Sequence, residues 1–116
     1  MKRLILAETS IHPDALTFIT CHHQETVQEV IEAIKMNKVV VVGMKQNPVV
    51  KKARKALDEK KISYEYLEYG SYLSQWKKRL AIKLWSGWPT YPQIFINGQL
   101  IGGCEDLVKY LATNKI

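Results

Sequence analysis

The chain has no apolar run approaching the roughly 18 residues that a membrane-crossing helix needs. Cysteine is scarce. The 116 residues hold two, Cys21 and Cys104, far apart and in no paired spacing, so a disulfide scaffold and the usual zinc spacings are excluded. There is no internal repeat, no low-complexity tract and no linker, which leaves one domain with enough apolar residues for a single core. Acid is short relative to base, giving a formal charge of +6. No nucleic-acid-binding motif accompanies that charge. Positive residues at Lys2 and Arg3 precede a short apolar stretch that Glu8 breaks before it reaches a secretory core. The expectation is a cytoplasmic protein with neither a membrane nor a nucleic acid as partner.

The base concentrates on two segments with helical periodicity: Lys51, Lys52, Arg54, Lys55, and Lys77, Lys78, Arg79, Lys83. A solvated helix face and an anion-steering surface are the two readings. Along the chain, residues 1–24 are the least patterned. Ser10 is a candidate cap ahead of Pro13, and Ala15–Ile19 has the character of a helical turn or two. Thr26 with Glu29 fits a capping box before Val27, Val30, Ile31 and Ile34, predicting a helix that stops near Met36-Asn37.

Val39–Gly43 is a β-branched run buried on both faces of a sheet. Asn47-Pro48 then starts a helix twice over, by a side-chain cap and by proline at the first helical position. That helix runs to about Lys60, followed by a strand from Ile62 to Glu68 and a helix from Leu73 to Trp85. Gln93–Ile96 and Gln99–Ile101 are strands joined by Asn97-Gly98, a hairpin signal because both residues tolerate positive φ. A last helix spans Glu105 to Ala112.

The order helix, β, α, β, α, β, β, α, with Trp88-Pro89-Thr90-Tyr91-Pro92 before the hairpin and Gly102-Gly103-Cys104-Glu105 after it, resembles the glutaredoxin family. Within it, the chain is most similar to the monothiol branch, whose members carry W-P-T-[FY]-P and G-G-C-D segments. The resemblance covers about residues 26–113. It implies an α/β fold of thioredoxin type, three layers α/β/α with a four-stranded mixed sheet, plus an extra N-terminal helix. Residues 1–24 are then an N-terminal extension, and 25–116 the glutaredoxin-like domain.

The resemblance further implies a cis peptide before Pro92 and a glutathione cleft. By matching position, Lys45, Asn47, Arg79, Lys83, Thr90, Tyr91, Pro92, Gly103, Cys104 and Glu105 line it. Tyr91 offers backbone groups to the ligand's cysteine part, and the basic residues with the N-terminus of the last helix suit its two carboxylates. Glu105 stands where the family has aspartate, a longer arm with the same charge.

The departure lies at Asn47-Pro48-Val49-Val50, set over the family's Cys-Pro-Tyr-Cys or Cys-Gly-Phe-Ser. An asparagine amide supplies no thiolate for disulfide exchange, and a cysteine-bound iron–sulfur cluster loses its protein ligand too. Three readings follow. The chain binds glutathione or a glutathionylated protein without thiol chemistry; or Cys104 serves as the thiol of an oxidoreductase; or the cleft is vestigial and the domain only docks a protein, through an exposed apolar patch near Trp76 and Trp85. The aromatic group Tyr64, Tyr66, Tyr69, Tyr72, Trp76, Trp85 and Trp88 reads either as core and rim packing or as a docking patch beside the cleft. Cys104 itself reads either as an inert buried cysteine or as a thiol activated by a helix N-terminus. His12, Cys21, His22 and His23 lack metal-ligand spacing, so no metal is expected.

Overall fold

The computed structural model describes residues 2–116. The strands are β1 (Val39–Gly43), β2 (Glu65–Glu68), β3 (Gln93–Ile96) and β4 (Gln99–Gly102), and the helices are α1 (Pro13–Cys21), α2 (Gln24–Met36), α3 (Pro48–Glu59), α4 (Trp76–Ser86) and α5 (Cys104–Thr113). The sheet runs β2-β1-β3-β4, with β1 parallel to β2 and antiparallel to β3, and β3 antiparallel to β4. It is the four-stranded mixed sheet of the expected α/β architecture.

Side-chain alternation explains the three layers. Successive strand residues face opposite sides, and all five residues of β1 are buried. Val40 and Val42 pack with Val30 of α2, Ile82 of α4 and Phe95. Val39 and Val41 turn the other way, toward Ala53 and Leu57 of α3, Leu107 of α5, Ile94 and Ile96. A strand apolar at every position must be covered on both faces, and two helices cover each.

Helix boundaries depart from expectation where polar side chains find other partners. Thr26 caps nothing: α2 starts at Gln24, after His23 in the left-handed region, and Thr26 is buried. Glu29, the other half of the expected box, accepts from the Tyr69 hydroxyl at 3.0 Å. His12 rather than Ser10 caps α1, its Nδ1 accepting from Asp14 N–H at 3.1 Å. The helix α4 begins at Trp76, three residues later than expected, because Ser71 and Ser74 hold residues 71–74 in a turn. The strand β2 begins three residues late, its ladder opening at Val40 opposite Glu65. The hairpin forms as read, with Asn97 and Gly98 at φ 53° and 79°.

Candidate functional site

Three chain segments converge at one end of the sheet. The first is the β1–α3 turn, where Lys45 is exposed and Gln46 is left-handed at φ 61°. Asn47 ends it, its Oδ1 accepting from the N–H groups of Val49 at 2.9 Å and Val50 at 3.1 Å. These are two of the four donors that every helix start leaves unpaired. A cysteine at this position would bring its sulfur to those donors. The side chain that is there already uses them, and it carries no charge.

The second segment is the loop before β3. The Tyr91–Pro92 peptide is cis, as the family resemblance implied. Tyr91 is buried, its hydroxyl donates to the carbonyl of Arg79, and it packs in one cluster with Val50 and Tyr69. Burial raises the Tyr91 phenol far above its ordinary range, so it stays a neutral donor; the nearby Arg79 opposes this only in part. Lys83 is half-buried with its ammonium 5.6 Å from the Tyr91 ring centroid. Thr90 is exposed beside them.

The third segment is the start of α5. Gly102 has φ 126°, and a Cβ there would lie 2.6 Å from Asp106 Oδ2, so only glycine fits without displacement. Asp106 Oδ2 accepts from Gly103 N–H at 3.0 Å. A Cβ on Gly103 would lie 3.7 Å from the Pro92 carbonyl, which places this helix start against the cis-proline. Cys104 is buried and Glu105 exposed.

One residue expected in the cleft as a free cation is engaged elsewhere. Arg79 is 7% exposed, and its guanidinium donates to the carbonyls of Tyr69 at 2.9 Å and Ser74 at 2.6 Å. It ties the loop after β2 to α4 instead of standing free as a surface cation. Cys104, at the N-terminus of α5, is buried. Burial raises its pKa, the main effect; Lys52 pulls the other way and Glu105 adds a smaller rise. At neutral pH a thiol reagent should modify exposed Cys21 well before Cys104, whose rate climbs only above the ordinary thiol range. Peptide mapping after a timed iodoacetamide pulse checks this, and faster labelling of Cys104 would restore it as a nucleophile.

Sequence reasoning missed Gln93, fully buried at the start of β3. Its amide donates to the Trp88 carbonyl at 3.0 Å and accepts from Ser86 at 2.8 Å, while Ser86 Oγ accepts from Trp88 N–H at 3.1 Å. This closed network fixes the loop that carries Tyr91. The available signal was a glutamine opening an otherwise apolar buried strand. Trp88 Nε1 is buried and makes no hydrogen bond. Among the described residues no group of histidine, cysteine and carboxylate side chains converges on a metal position, and no helix is long and apolar enough to cross a membrane.

A parallel-plus-antiparallel sheet with a cis-proline loop facing two helix N-termini defines a thioredoxin-type fold. Residues 39–101 match the family model described as Glutaredoxin. A "Glutaredoxin-like protein" of Dictyostelium discoideum is 53% identical over 94 residues, covering 81% of this chain and 76% of its own. The "Probable monothiol glutaredoxin 2" of Rickettsia typhi is 39% identical over 85 residues, covering 71% and 75%. The crystal structure of a buckwheat glutaredoxin–glutathione complex superposes with a TM-score of 0.66 at 22% identity, over 77% of this chain and 81% of that one. The chain belongs to the glutaredoxin family.

Proposed function

We propose that this protein binds glutathione, or a glutathionylated protein, in the cleft between the N-termini of α3 and α5, and does so without a thiol at α3. The observation that carries the reading is the hydrogen bonding of Asn47. The family's fold is kept around that position, yet the helix start is occupied by a neutral amide oxygen already bonded to Val49 and Val50 N–H. No mixed disulfide can form there, and an iron–sulfur cluster has no protein thiolate to hold it.

Recognition then rests on charge and backbone. Lys45 is exposed beside the α3 start and Lys83 lies against Tyr91, so these two cations serve the ligand's carboxylates. Arg79 contributes indirectly, by holding the loop beneath Tyr91. Tyr91 and Pro92 offer extended backbone for the ligand's cysteine part, and the first turn of α5, with Gly103, Cys104 and Glu105, receives its γ-glutamyl end. Thr90 borders the opening. Residues 1–24 are an extension outside this cleft, and the protein works in the cytoplasm.

Burial of Cys104 weighs against an oxidoreductase built on that thiol. A protein-docking role beside the cleft is favoured by the outer stripe of α4, where Trp76 is 58% and Leu84 66% exposed. Binding and docking are compatible in an adaptor.

Calorimetric titration with glutathione tests the reading. Saturable binding is expected for the wild type. Lys45→Glu should weaken it about tenfold, the scale of one charge-assisted hydrogen bond of about 1.5 kcal/mol. Heat-silent titration of a folded wild type would remove the proposal.

A further inference from the structure

A groove between α3 and α5 lies on the opposite sheet face from α2 and α4. It measures ≈ 690 Å³. On α3 it is lined by Lys52, Lys55, Ala56 and Glu59, with Lys60 just past the helix end, and on α5 by Val108, Leu111 and Ala112. The α3 positions recur at i, i+3, i+4 and i+7, and those of α5 at i, i+3 and i+4. Each set is a single helix stripe, so the two stripes form the floor and walls of a seam for a third helix. The alanines keep the floor low, and Val108 is 47% exposed on its wall.

Charge decides the occupant. The only ion pairs within 4.0 Å among the described residues are His12 with Asp14 and His23 with Glu25. Lys52, Lys55 and Lys60 therefore line the groove with no carboxylate partner, and Glu59 is the single acid among them. A nucleic acid would gain nothing from an apolar floor of helical spacing. A membrane surface would call for a broad apolar face, whereas Val108, Leu111 and Ala112 are flanked by the lysine-bearing stripe of α3. We propose that this groove docks an acidic amphipathic helix of a partner protein, with its apolar stripe on Val108 and Leu111 and its carboxylates on the lysine rim. The stretch from Lys52 to Lys60 spans about 12 Å, room for two to three turns of such a helix.

The test uses a fluorescein-labelled peptide of about four turns, with leucines at i, i+3, i+4 and i+7 flanked by glutamates, and a counterpart with lysines in place of those glutamates. Fluorescence anisotropy with the full chain should show binding of the acidic peptide alone. Amide shifts on titration should fall on α3 and α5. The double variant Lys55→Glu/Lys60→Glu and the single variant Val108→Asp should each weaken binding at least tenfold, with glutathione titration unchanged. Should the double variant fail to fold, Val108→Asp and the amide map decide. Equal binding of the lysine peptide, insensitivity to Val108→Asp, shifts confined to α4, or preferential binding to phosphatidylserine vesicles or duplex DNA would each overturn the proposal. The glutathione reading stands or falls separately, since neither variant touches its cleft.

Discussion

Asn47→Cys is expected to raise glutathione-dependent disulfide reduction from background by about two orders of magnitude. The physical ground is the pair of donors already aimed at this position, Val49 and Val50 N–H, 2.9 and 3.1 Å from Asn47 Oδ1. A thiolate placed there is stabilised by those groups and by the partial positive charge of the helix start, which in general brings a thiol into or below the neutral range. Rate of attack follows the thiolate fraction, tempered by the lower nucleophilicity of a more acidic thiol. The same substitution removes a good neutral cap, at a cost of about 1 kcal/mol, so a fall in Tm of a few degrees should accompany the gain. A coupled reductase assay on hydroxyethyl disulfide measures the activity. A folded Asn47→Cys protein at wild-type background would mean that the pocket around the helix start no longer accepts glutathione.

Arg79→Met should cost about 3 kcal/mol of stability and lower Tm by roughly 10 °C. The charged guanidinium is buried against two carbonyls, Tyr69 at 2.9 Å and Ser74 at 2.6 Å. Methionine of similar length keeps most of the packing and leaves both acceptors without their donor, and the larger part of the penalty falls at the buried Tyr69 carbonyl. Thermal denaturation followed by circular dichroism reads the effect directly. A Tm within about 2 °C of wild type, together with a large loss of glutathione affinity, would instead make Arg79 a ligand-contacting cation.

The contrast between these two positions shows what the sequence made legible. Asn47 was readable because a helix start is governed locally: one side chain, its own next three residues, and a proline that fits the first turn. The hairpin at Asn97-Gly98 and the doubly buried Val39–Gly43 were readable for the same reason, as local geometry and an unbroken apolar run. Arg79 was not. Whether a helical arginine faces solvent, ligand or a loop depends on where residues 69–75 travel, and that path is set by Ser71 and Ser74 side chains bonding within their own turn. Thr26 misled for a related reason. Its spacing to Glu29 satisfied a cap pattern, but Glu29 is engaged by Tyr69, forty residues away.

The aromatic residues divide along the same line. Parity put Tyr64 and Tyr66 on one face, and they meet on Arg54, which lies 3.9 Å from the Tyr66 ring centroid and donates from Nε to the Tyr64 hydroxyl at 3.2 Å. Burial, chiefly, and the bond to Glu68 push the Tyr66 phenol up to about 12. Trp76, Leu80 and Leu84 share an equally regular i, i+4, i+8 spacing, yet they face outward. Periodicity names the stripe; only the packed fold tells which stripes are covered.

The most direct measurement is the glutathione titration carried out at amide resolution and repeated with S-methylglutathione, which has no free sulfur to exchange. Saturable shifts at Lys45, Tyr91 and the Gly103–Glu105 turn, with matching affinities for the two ligands, are the predicted result. Shifts that require the free thiol, or none at these amides with either ligand, would contradict a cleft that binds without sulfur chemistry.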